Sequence, residues 1–399
     1  MATNIPAKKE PLWTKNFILL SLSNFFLFMG FQMLLPTLPV FVSEHGGNGT
    51  EVGLVIALLT LSAIIIRFFT GVALETMNRH VMFAGAGIMT LLAMGGYYVA
   101  TTVFAVLVLR FVHGVGWGIS TTTYGAVASD IIPAARRGEG MGYFGLGSTL
   151  AMALGPFIGI WLMRDYGFNS LFICTFVSTL LSFGLTPFIS IPYPERGIVK
   201  QSFTSLLARL VERQALFPSF LALLLGVTYG GIVSFITLFG KEAGIANVGW
   251  FFLVNAASIF VIRPISGKIF DKKGHYWVLL PGAVCSILGL FLLSSATSTL
   301  LLIIAAIFYG AGFGAIQPSL QAWVINRVAP ARRGAANATF YNAFDLGIGG
   351  GGLILGAIAE RVNYAHMYRY SILLLVVYIA VYMAYVMKRT EKKDDSAVA

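Results

Sequence analysis

The chain has 399 residues, of which 57% are hydrophobic and 11% are charged. A water-soluble domain carries about 25% charged residues because water must hydrate its surface, so this composition excludes a soluble globular protein. The net charge of +11 does not indicate nucleic-acid binding, because the basic residues lie in short loops between long apolar runs and not on one face. The mean hydropathy of +0.81 predicts a membrane protein instead.

Long apolar segments follow one another along the chain, and a helix needs about 20 such residues to cross the hydrocarbon core. Twelve segments meet this length: 16–42, 52–74, 81–101, 103–129, 140–163, 168–191, 216–239, 248–270, 277–297, 300–325, 336–359 and 367–387. The first segment is too long for the core of a signal peptide, so we expect it to be retained. The sequence therefore predicts an all-α membrane protein with twelve transmembrane helices.

The distribution of lysine and arginine predicts the orientation. If the N-terminus is cytoplasmic, 22 of the 27 basic residues fall on the cytoplasmic side, including Arg67 and Arg263 at the ends of their helices. Four fall on the outer side, and Arg110 lies within a helix. Because cytoplasmic loops carry the excess of basic residues, we expect both termini inside a cell membrane, the inner or plasma membrane of a bacterium.

The second part of the chain repeats the first at a fixed offset of 196 residues. The repeated motifs are Arg67-x-x-x-Gly71-x-x-x-Glu75 with Arg263-x-x-x-Gly267-x-x-x-Asp271, Gly114-Val-Gly116-Trp-Gly118 with Gly310-Ala-Gly312-Phe-Gly314, and Arg136-Arg137-Gly138 with Arg332-Arg333-Gly334. Several separate matches at one offset indicate two copies of a six-helix unit.

This repeat divides the chain into two bundles. We expect an N-terminal six-helix bundle at 1–190, a cytoplasmic linker at 191–215, a C-terminal six-helix bundle at 216–390 and a disordered cytoplasmic tail at 391–399. Apolar residues at helical spacing in 203–216 are compatible with an amphipathic helix on the membrane face and equally with a flexible linker.

Three motifs indicate the family. Residues 71–79 contain Gly71, Glu75 and Arg79, residues 110–116 begin with Arg110, and the fifth helix carries Gly147, Gly155, Pro156 and Gly159. These are similar to the loop motif between helices 2 and 3, the helix 4 motif and the helix 5 antiporter motif of the major facilitator superfamily. The chain resembles its twelve-helix drug:proton antiporter branch, although Glu75 replaces the usual aspartate.

The resemblance implies two six-helix bundles related by pseudosymmetry, with the substrate site between them near mid-membrane. The glycines of the fifth helix admit two interpretations. They permit tight packing of helices, and they also provide a smooth face along which two bundles could rock during alternating access.

Arg110 lies inside the fourth helix, about 10 Å from its outer end. A guanidinium within the bilayer is costly, so it should face a partner or an aqueous cavity. The resemblance implies a place in the central cavity and a part in proton coupling, with His113 one turn away. Since no acid lies beside it in its own half, Arg110 is also a candidate for binding an anionic substrate. The alternatives are snorkelling and a buried structural pair.

Asp345 is the only acid well inside a predicted span, about ten residues into the eleventh helix. A carboxyl at that depth can bind and release a proton during transport. A hydrogen bond to the backbone, or an ion pair with Arg110, is the structural alternative. We therefore predict Asp345, Arg110 and His113 as the proton-coupling residues.

Further residues are candidates for the cavity and for a gate. The substrate-binding candidates are Arg110, Asn24, Gln32, Trp117, Tyr229, Tyr341, Asn342 and Gln317. The family pattern suggests an ion-pair cluster at the cytoplasmic helix ends, formed by Gly71, Glu75, Arg79 and Asp130, with Arg263 and Asp271 as its counterparts in the second half.

These features predict a proton-coupled exporter of a small amphipathic or anionic compound, working by alternating access. Uptake of a nutrient by proton symport is the alternative, and an intramembrane enzyme or receptor is a remote one. We expect no enzymatic activity, no cofactor, no metal and no nucleic-acid partner. The expected partners are a small-molecule substrate, protons and the lipid bilayer, and the protein should be monomeric.

Overall fold

The computed structural model describes residues 11–133, 136–191, 212–329 and 332–398. Their backbone is helical with short connecting loops, which confirms the predicted all-α class. The helices are α1 (Lys15–Leu34), α2 (Leu38–Glu44), α3 (Gly49–Thr76), α4 (Arg79–Val99), α5 (Val103–Ile131), α6 (Arg137–Leu185), α7 (Leu216–Glu242), α8 (Gly249–Lys273), α9 (Tyr276–Ser294), α10 (Thr299–Asn326), α11 (Arg333–Arg361) and α12 (Tyr364–Val398). We call the side on which α1 begins the terminal side and the opposite side the far side.

Several helices begin where the sequence supplies a side-chain cap for the free backbone N–H groups of the first turn. Thr14, Asn78, Thr102 and Ser298 cap α1, α4, α5 and α10. At α3 the cap is reciprocal, because Asn48 accepts the N–H of Glu51 while the Glu51 carboxylate accepts the N–H of Asn48. These polar residues therefore fix where the helices begin.

Eleven helical segments of the described chain are long and apolar enough to cross a membrane. The longest, α6, contains two of the twelve predicted spans, 140–163 and 168–191, joined without a loop. Its backbone breaks at Gly167, where φ is 80° and ψ is 174°. Positive φ of this kind is accessible to glycine, and it separates a first arm, 137–166, from a second arm, 168–185.

The two arms of α6 run in opposite directions along α1. In the first arm, Gly147 contacts Phe25 and Gly159 contacts Met33, so the residue numbers rise together. In the second arm, Ser182 donates to the carbonyl of Ser23 at 2.8 Å, and Ser178 donates to the carbonyl of Phe26 at 2.9 Å. There the numbers rise in opposite senses. The chain therefore reverses at Gly167 and crosses twice.

The internal repeat is also present in the three-dimensional contacts. A side-chain carbon added to Gly116 would meet Thr90 and Ala86, and one added to Gly312 would meet Ser286 and Gly282, each 196 positions later. The neighbouring glycines show the same correspondence: Gly114 meets Leu59 and Ser62 while Gly310 meets Asn255 and Ser258, and Gly118 meets Ala63 and Ile66 while Gly314 meets Ile259 and Ile262. Equivalent glycines therefore make the same close helix contacts in each of the two halves.

The predicted linker and the predicted C-terminal tail lie at two polar stretches of the chain. Most of the predicted linker, 192–211, lies outside the described residues. The predicted disordered tail, 391–399, differs from the structure, in which α12 continues to Val398. Residues 388–393 are mainly Lys, Arg and Glu, which have good helix propensity, and no Gly or Pro follows that would end the helix.

Candidate functional site

Helices α3 and α11 belong to different halves and pack closely against each other. Near the far side their backbones touch: a side-chain carbon added to Gly53 would lie 2.3 Å from the carbonyl oxygen of Gly352, and one added to Gly49 would lie 2.6 Å from that of Gly356. Only glycine fits at such positions, because backbone approaches backbone. The far-side surfaces of the halves are therefore closed against each other along this helix pair.

Polar contacts reinforce closure at the far side. Glu44 at the end of α2 pairs with Lys241 of α7, and Thr50 donates to a carboxylate oxygen of Glu360 at 3.0 Å. Arg164 of α6 donates to the carbonyl of Ala246 at 3.3 Å in the loop before α8. Each of these contacts joins one half to the other.

One contact between the halves lies much deeper. Arg67 Nη1 of α3 donates to Asp345 Oδ2 of α11 at 2.5 Å, and 23% and 26% of the two side chains are exposed. Arg67 lies about 13 Å from the terminal-side end of α3, and Asp345 lies about 18 Å from the corresponding end of α11. Both charges are within the span. Each neutralises the other, which lowers the cost of holding them there.

Toward the terminal side, α3 and its repeat equivalent α8 each carry an exposed glycine. Gly71, one turn beyond Arg67 on α3, is exposed and has open space where a side chain would be. Gly267, its repeat equivalent on α8, is also exposed with open space around it. Among the described residues, the backbone contacts of α3 with α11 lie on the far side of the Arg67–Asp345 pair, and Gly71 on its terminal side has open space beside it.

Two predictions about charge are wrong. Arg67 was placed at the end of its helix but lies well inside it, and Asp345 was predicted to be solitary or paired with Arg110 but pairs with Arg67. A single sequence does not reveal which helices of the two halves meet. Because the depth of Arg67 in the membrane was assigned from its charge alone, it was predicted to lie too near the helix end.

Arg110 is fully enclosed in the first half, with none of its surface exposed. Its Nη2 donates to the carbonyl of Leu34 at 3.3 Å, and its Nη1 is 3.4 Å from Nδ1 of His113. The guanidinium lies 5.7 Å from the ring centre of Tyr97, and its Nε has no partner. No carboxylate pairs with Arg110 among the residues that the structure describes.

The expectation that Arg110 lines an aqueous cavity is therefore wrong for this conformation. The face of α5 that carries Arg110, His113 and Trp117 packs against α1. Trp117 stacks on Phe31 with ring centres 3.9 Å apart and 14° between the planes. Helical spacing placed these residues correctly on one face, but it did not reveal that α1 and α4 cover that face.

Most other substrate-binding candidates are buried within one half. Asn24 and Gln32 of α1 are 2% and 4% exposed, and Gln32 is packed against Gly155. Tyr229 of α7 is 8% exposed and stacks on Phe313 at 4.9 Å. The structure does not bring these residues to the Arg67–Asp345 pair. Gln317 and Asn342 are half-buried in α10 and α11.

Tyr341 is the exception, because 39% of its surface is exposed and it lies one turn from Asp345. The amide nitrogen of Gln321 on α10 donates to the Tyr341 hydroxyl at 3.1 Å and to Asn337 Oδ1 at 2.8 Å. Asn337, Tyr341 and Asp345 recur every four residues and so form a polar stripe on α11. Asn337 was not predicted, although this spacing in the sequence would have found it.

The predicted ion-pair cluster of the first half is present in part. Arg79 Nη2, at the start of α4, lies 2.7 Å from Asp130 Oδ2 near the end of α5. The side chain of Glu75 lies outside the described residues. This pair joins two helices of the same half, and its role as a gate stays a prediction.

The second half does not repeat that cluster. Arg263 and Asp271 are exposed, and neither forms an ion pair with another described side chain. Arg263 lies about 15 Å inside the terminal-side end of α8, so its predicted place at a helix end is wrong. Instead Arg332 Nε pairs with Glu212 Oε2 at 2.8 Å, and this hydrogen bond lowers the pKa of Glu212.

The predicted antiporter motif forms a packing surface within the first half. Gly155 and Gly159 lie against Gln32 and Met33 of α1, where an added carbon would come within 2.5 Å. Pro156 lies inside the helix between them. The close contact is therefore with α1 of the same bundle, which favours the packing interpretation of these glycines.

Comparison with known proteins assigns the family. A family model described as Major Facilitator Superfamily matches residues 20–352 and 245–397. The chain belongs to the major facilitator superfamily. The resemblance inferred from the motifs is therefore confirmed, and the protein is a membrane transporter.

Two relatives and one solved structure illustrate the likeness. The multi-drug resistance efflux pump PmrA of Streptococcus pneumoniae is 23% identical over 366 residues, covering 88% of this chain and 91% of its own. The staphylopine export protein of Staphylococcus aureus is 23% identical over 404 residues, covering 95% and 98%. The crystal structure of the nucleoside transporter NupG superposes with a TM-score of 0.73 at 17% identity, covering 92% and 99%.

Proposed function

We propose that this transporter is a proton-coupled exporter that moves a small amphipathic or anionic compound by alternating access. The observation that carries the proposal is the Arg67–Asp345 ion pair, because it joins the two halves inside the membrane at the edge of the open space. Relatives named as efflux or export proteins support the direction. The excess of basic residues supports a cytoplasmic terminal side. The bacterial relatives support a bacterial cell membrane.

In this proposal Asp345 is the proton carrier. When ionised it pairs with Arg67 and stabilises the conformation described above, with the far side closed. When protonated it loses the charge–charge attraction, so the halves separate more easily at the far side. In the return half of the cycle Asp345 binds a proton from the far side, carries it as the far side closes, and releases it toward the terminal side, where the ion pair with Arg67 forms again. In the outward half bound substrate separates the ionised pair instead, so proton and substrate move in opposite directions.

Arg110 and His113 form the second element of the proposal. They contact Leu34 and Tyr97, which lie near the far-side ends of α1 and α4. Opening of the far side would move those ends and expose the buried guanidinium. In the proposed cycle Arg110 thus becomes accessible to protons or substrate only in the far-open conformation, which explains how an unneutralised cation is enclosed here.

The test is transport in proteoliposomes under an imposed pH gradient, with ethidium as a cationic probe and dansylglycine as an anionic one. The wild type should accumulate at least one probe only when the gradient is present. Asp345→Asn should abolish gradient-driven flux while probe binding in detergent persists. Glu242→Gln, an exposed acid at the far end of α7, is the matched control and should transport normally. Undiminished flux in Asp345→Asn would refute the assignment.

A further inference from the structure

The repeat relates Arg67 of α3 to Arg263 of α8, 196 positions later. The same offset relates Asp345 to Thr149 in the first arm of α6. The helix pair α3–α11 is thus matched by the pair α8–α6, and the helices of each pair contact each other across the two halves. The arginine is present in both pairs, but the acid is present in only one.

Arg263 is therefore a cation without its counterpart anion. It lies within a membrane-spanning helix, its side chain is exposed, and no acid pairs with it in the part of the chain that the structure describes. An unneutralised guanidinium at that depth is costly unless water or an anion reaches it. Arg67, Arg263 and Asp345 together carry one net positive charge, so an anion would balance this group.

The neighbours of Arg263 can take part in binding an anion. Its electrostatic neighbour is the phenol of Tyr341 on α11. The Tyr341 oxygen already accepts a hydrogen bond from Gln321, so its own O–H proton remains to be donated to a ligand. The second bond from Gln321, to Asn337, fixes the amide that orients Tyr341. A guanidinium and a hydroxyl donor, both exposed, are thus near enough to interact electrostatically.

We propose that Arg263 and the Tyr341 hydroxyl bind the carboxylate of an amphipathic anionic substrate. In the α8–α6 pair the substrate carboxylate would pair with Arg263, as Asp345 pairs with Arg67 in the α3–α11 pair. Arg263 provides parallel N–H donors that match the two oxygens of a carboxylate. Phe260, an exposed apolar side chain one turn away on α8, provides a contact for the apolar part.

This inference rests on the proposed transport of a small molecule between the halves, and it narrows that molecule to a carboxylate. It also assigns the anion-binding site to Arg263 and not to Arg110, where the sequence had predicted it. Arg110 is fully enclosed, whereas Arg263 is exposed beside the space between the halves.

The test is fluorescence titration of the purified full-length protein in detergent, without a gradient. The probes are dansylglycine and its neutral amide, dansylglycinamide, which differ only in the carboxylate. The wild type should bind the carboxylate at least about tenfold more tightly than the amide. Arg263→Gln should abolish this preference, and Arg263→Lys should retain part of it because the charge remains.

Two controls keep the outcome unambiguous. Arg361→Gln removes an exposed arginine at the far end of α11 and should leave both affinities unchanged. Amide binding by Arg263→Gln at the wild-type affinity would show that the variant is folded and that only the charge contact is lost.

Three results would overturn the inference: no saturable binding of dansylglycine to the wild type, equal affinity for the two probes, or an equal loss of both in Arg263→Gln. Because binding is measured without a gradient, its outcome is independent of proton coupling. Failure of the Asp345→Asn flux experiment would leave a selective carboxylate site intact.

Discussion

The two helix pairs that join the halves have the same origin and different chemistry. In α3–α11, Arg67 meets Asp345, whereas in α8–α6 the equivalent Arg263 has Thr149 at the position of the acid. The glycines that pack each bundle internally follow the repeat closely. The scaffold has thus stayed symmetric while the charges have diverged, so departures from the repeat mark the residues with separate roles.

The largest effect should come from breaking the backbone contact of α3–α11. In Gly53→Ala the new methyl carbon would lie 2.3 Å from a carbonyl oxygen, so the helices must move apart. Overpacking of this kind costs about 1–3 kcal/mol, which would shift the conformational equilibrium toward the far-open state by about 5- to 160-fold.

Spin-label distances across the far side, in a background that lacks Cys174 and Cys285, measure that shift for Gly53→Ala. Gly350→Ala is the control on α11, because nothing lies within 4 Å of its added carbon. If both variants behaved like the wild type, the α3–α11 contact would not hold the far side closed.

Reversal of the ion pair should have the next largest effect. Arg67→Asp places two acids together and should destabilise the closed far side by at least about 1.5 kcal/mol, since a charged hydrogen bond is lost and repulsion is added. The double variant Arg67→Asp with Asp345→Arg should recover part of the closed population. The same spin-label distances report both, and a double variant no better than the single one would argue against direct pairing.

The comparison also predicts how the α8–α6 pair could be made to resemble α3–α11. Thr149→Asp supplies the acid that the repeat lacks, so it should compete for Arg263 and weaken dansylglycine binding by about tenfold. Thr149→Asn, of similar size and neutral, is the control. Titration of both variants at neutral pH would decide this, and equal affinities would show that Thr149 is not placed opposite Arg263.

The smallest effect concerns Glu212 and Arg332 at the terminal side. The pair lowers the pKa of Glu212 in the folded protein, so its contribution is complete above the unfolded pKa of about 4.3 and is lost as the pH falls through the lower folded value. The pair is partly exposed, so we expect less than about 1 kcal/mol. Melting temperatures of the wild type and Glu212→Gln should differ at pH 7 and converge near pH 3.

The sequence predicted the fold well because the bilayer imposes strong rules. Backbone groups in lipid must be satisfied within helices, and each crossing needs a fixed apolar length, so span number and class follow from hydropathy. Even the two spans of α6 were separated correctly, at the break in its backbone at Gly167. The internal repeat then indicated that those spans form two bundles.

The site was harder to predict because it depends on contacts between distant segments. Asp345 was found from its depth, but its partner could have been Arg110 or Arg67, and only the packing of α3 on α11 decides between them. The cost of a buried guanidinium predicted a partner or an aqueous cavity for Arg110, and the resemblance implied the central cavity. The aromatic and carbonyl groups that enclose it come from α1 and α4. The helical periodicity of a sequence shows which residues share one face of a helix, but it does not show which other helix packs on that face.

The glycine contact between α3 and α11 has a mechanical consequence. Side chains that interlock must change rotamers before two helices can part, whereas Gly49, Gly53, Gly352 and Gly356 present bare backbone to each other. Such surfaces can slide and rejoin in register with little steric resistance, because nothing protrudes from them. In the proposed alternating-access cycle, this contact therefore parts and re-forms with few side-chain rearrangements.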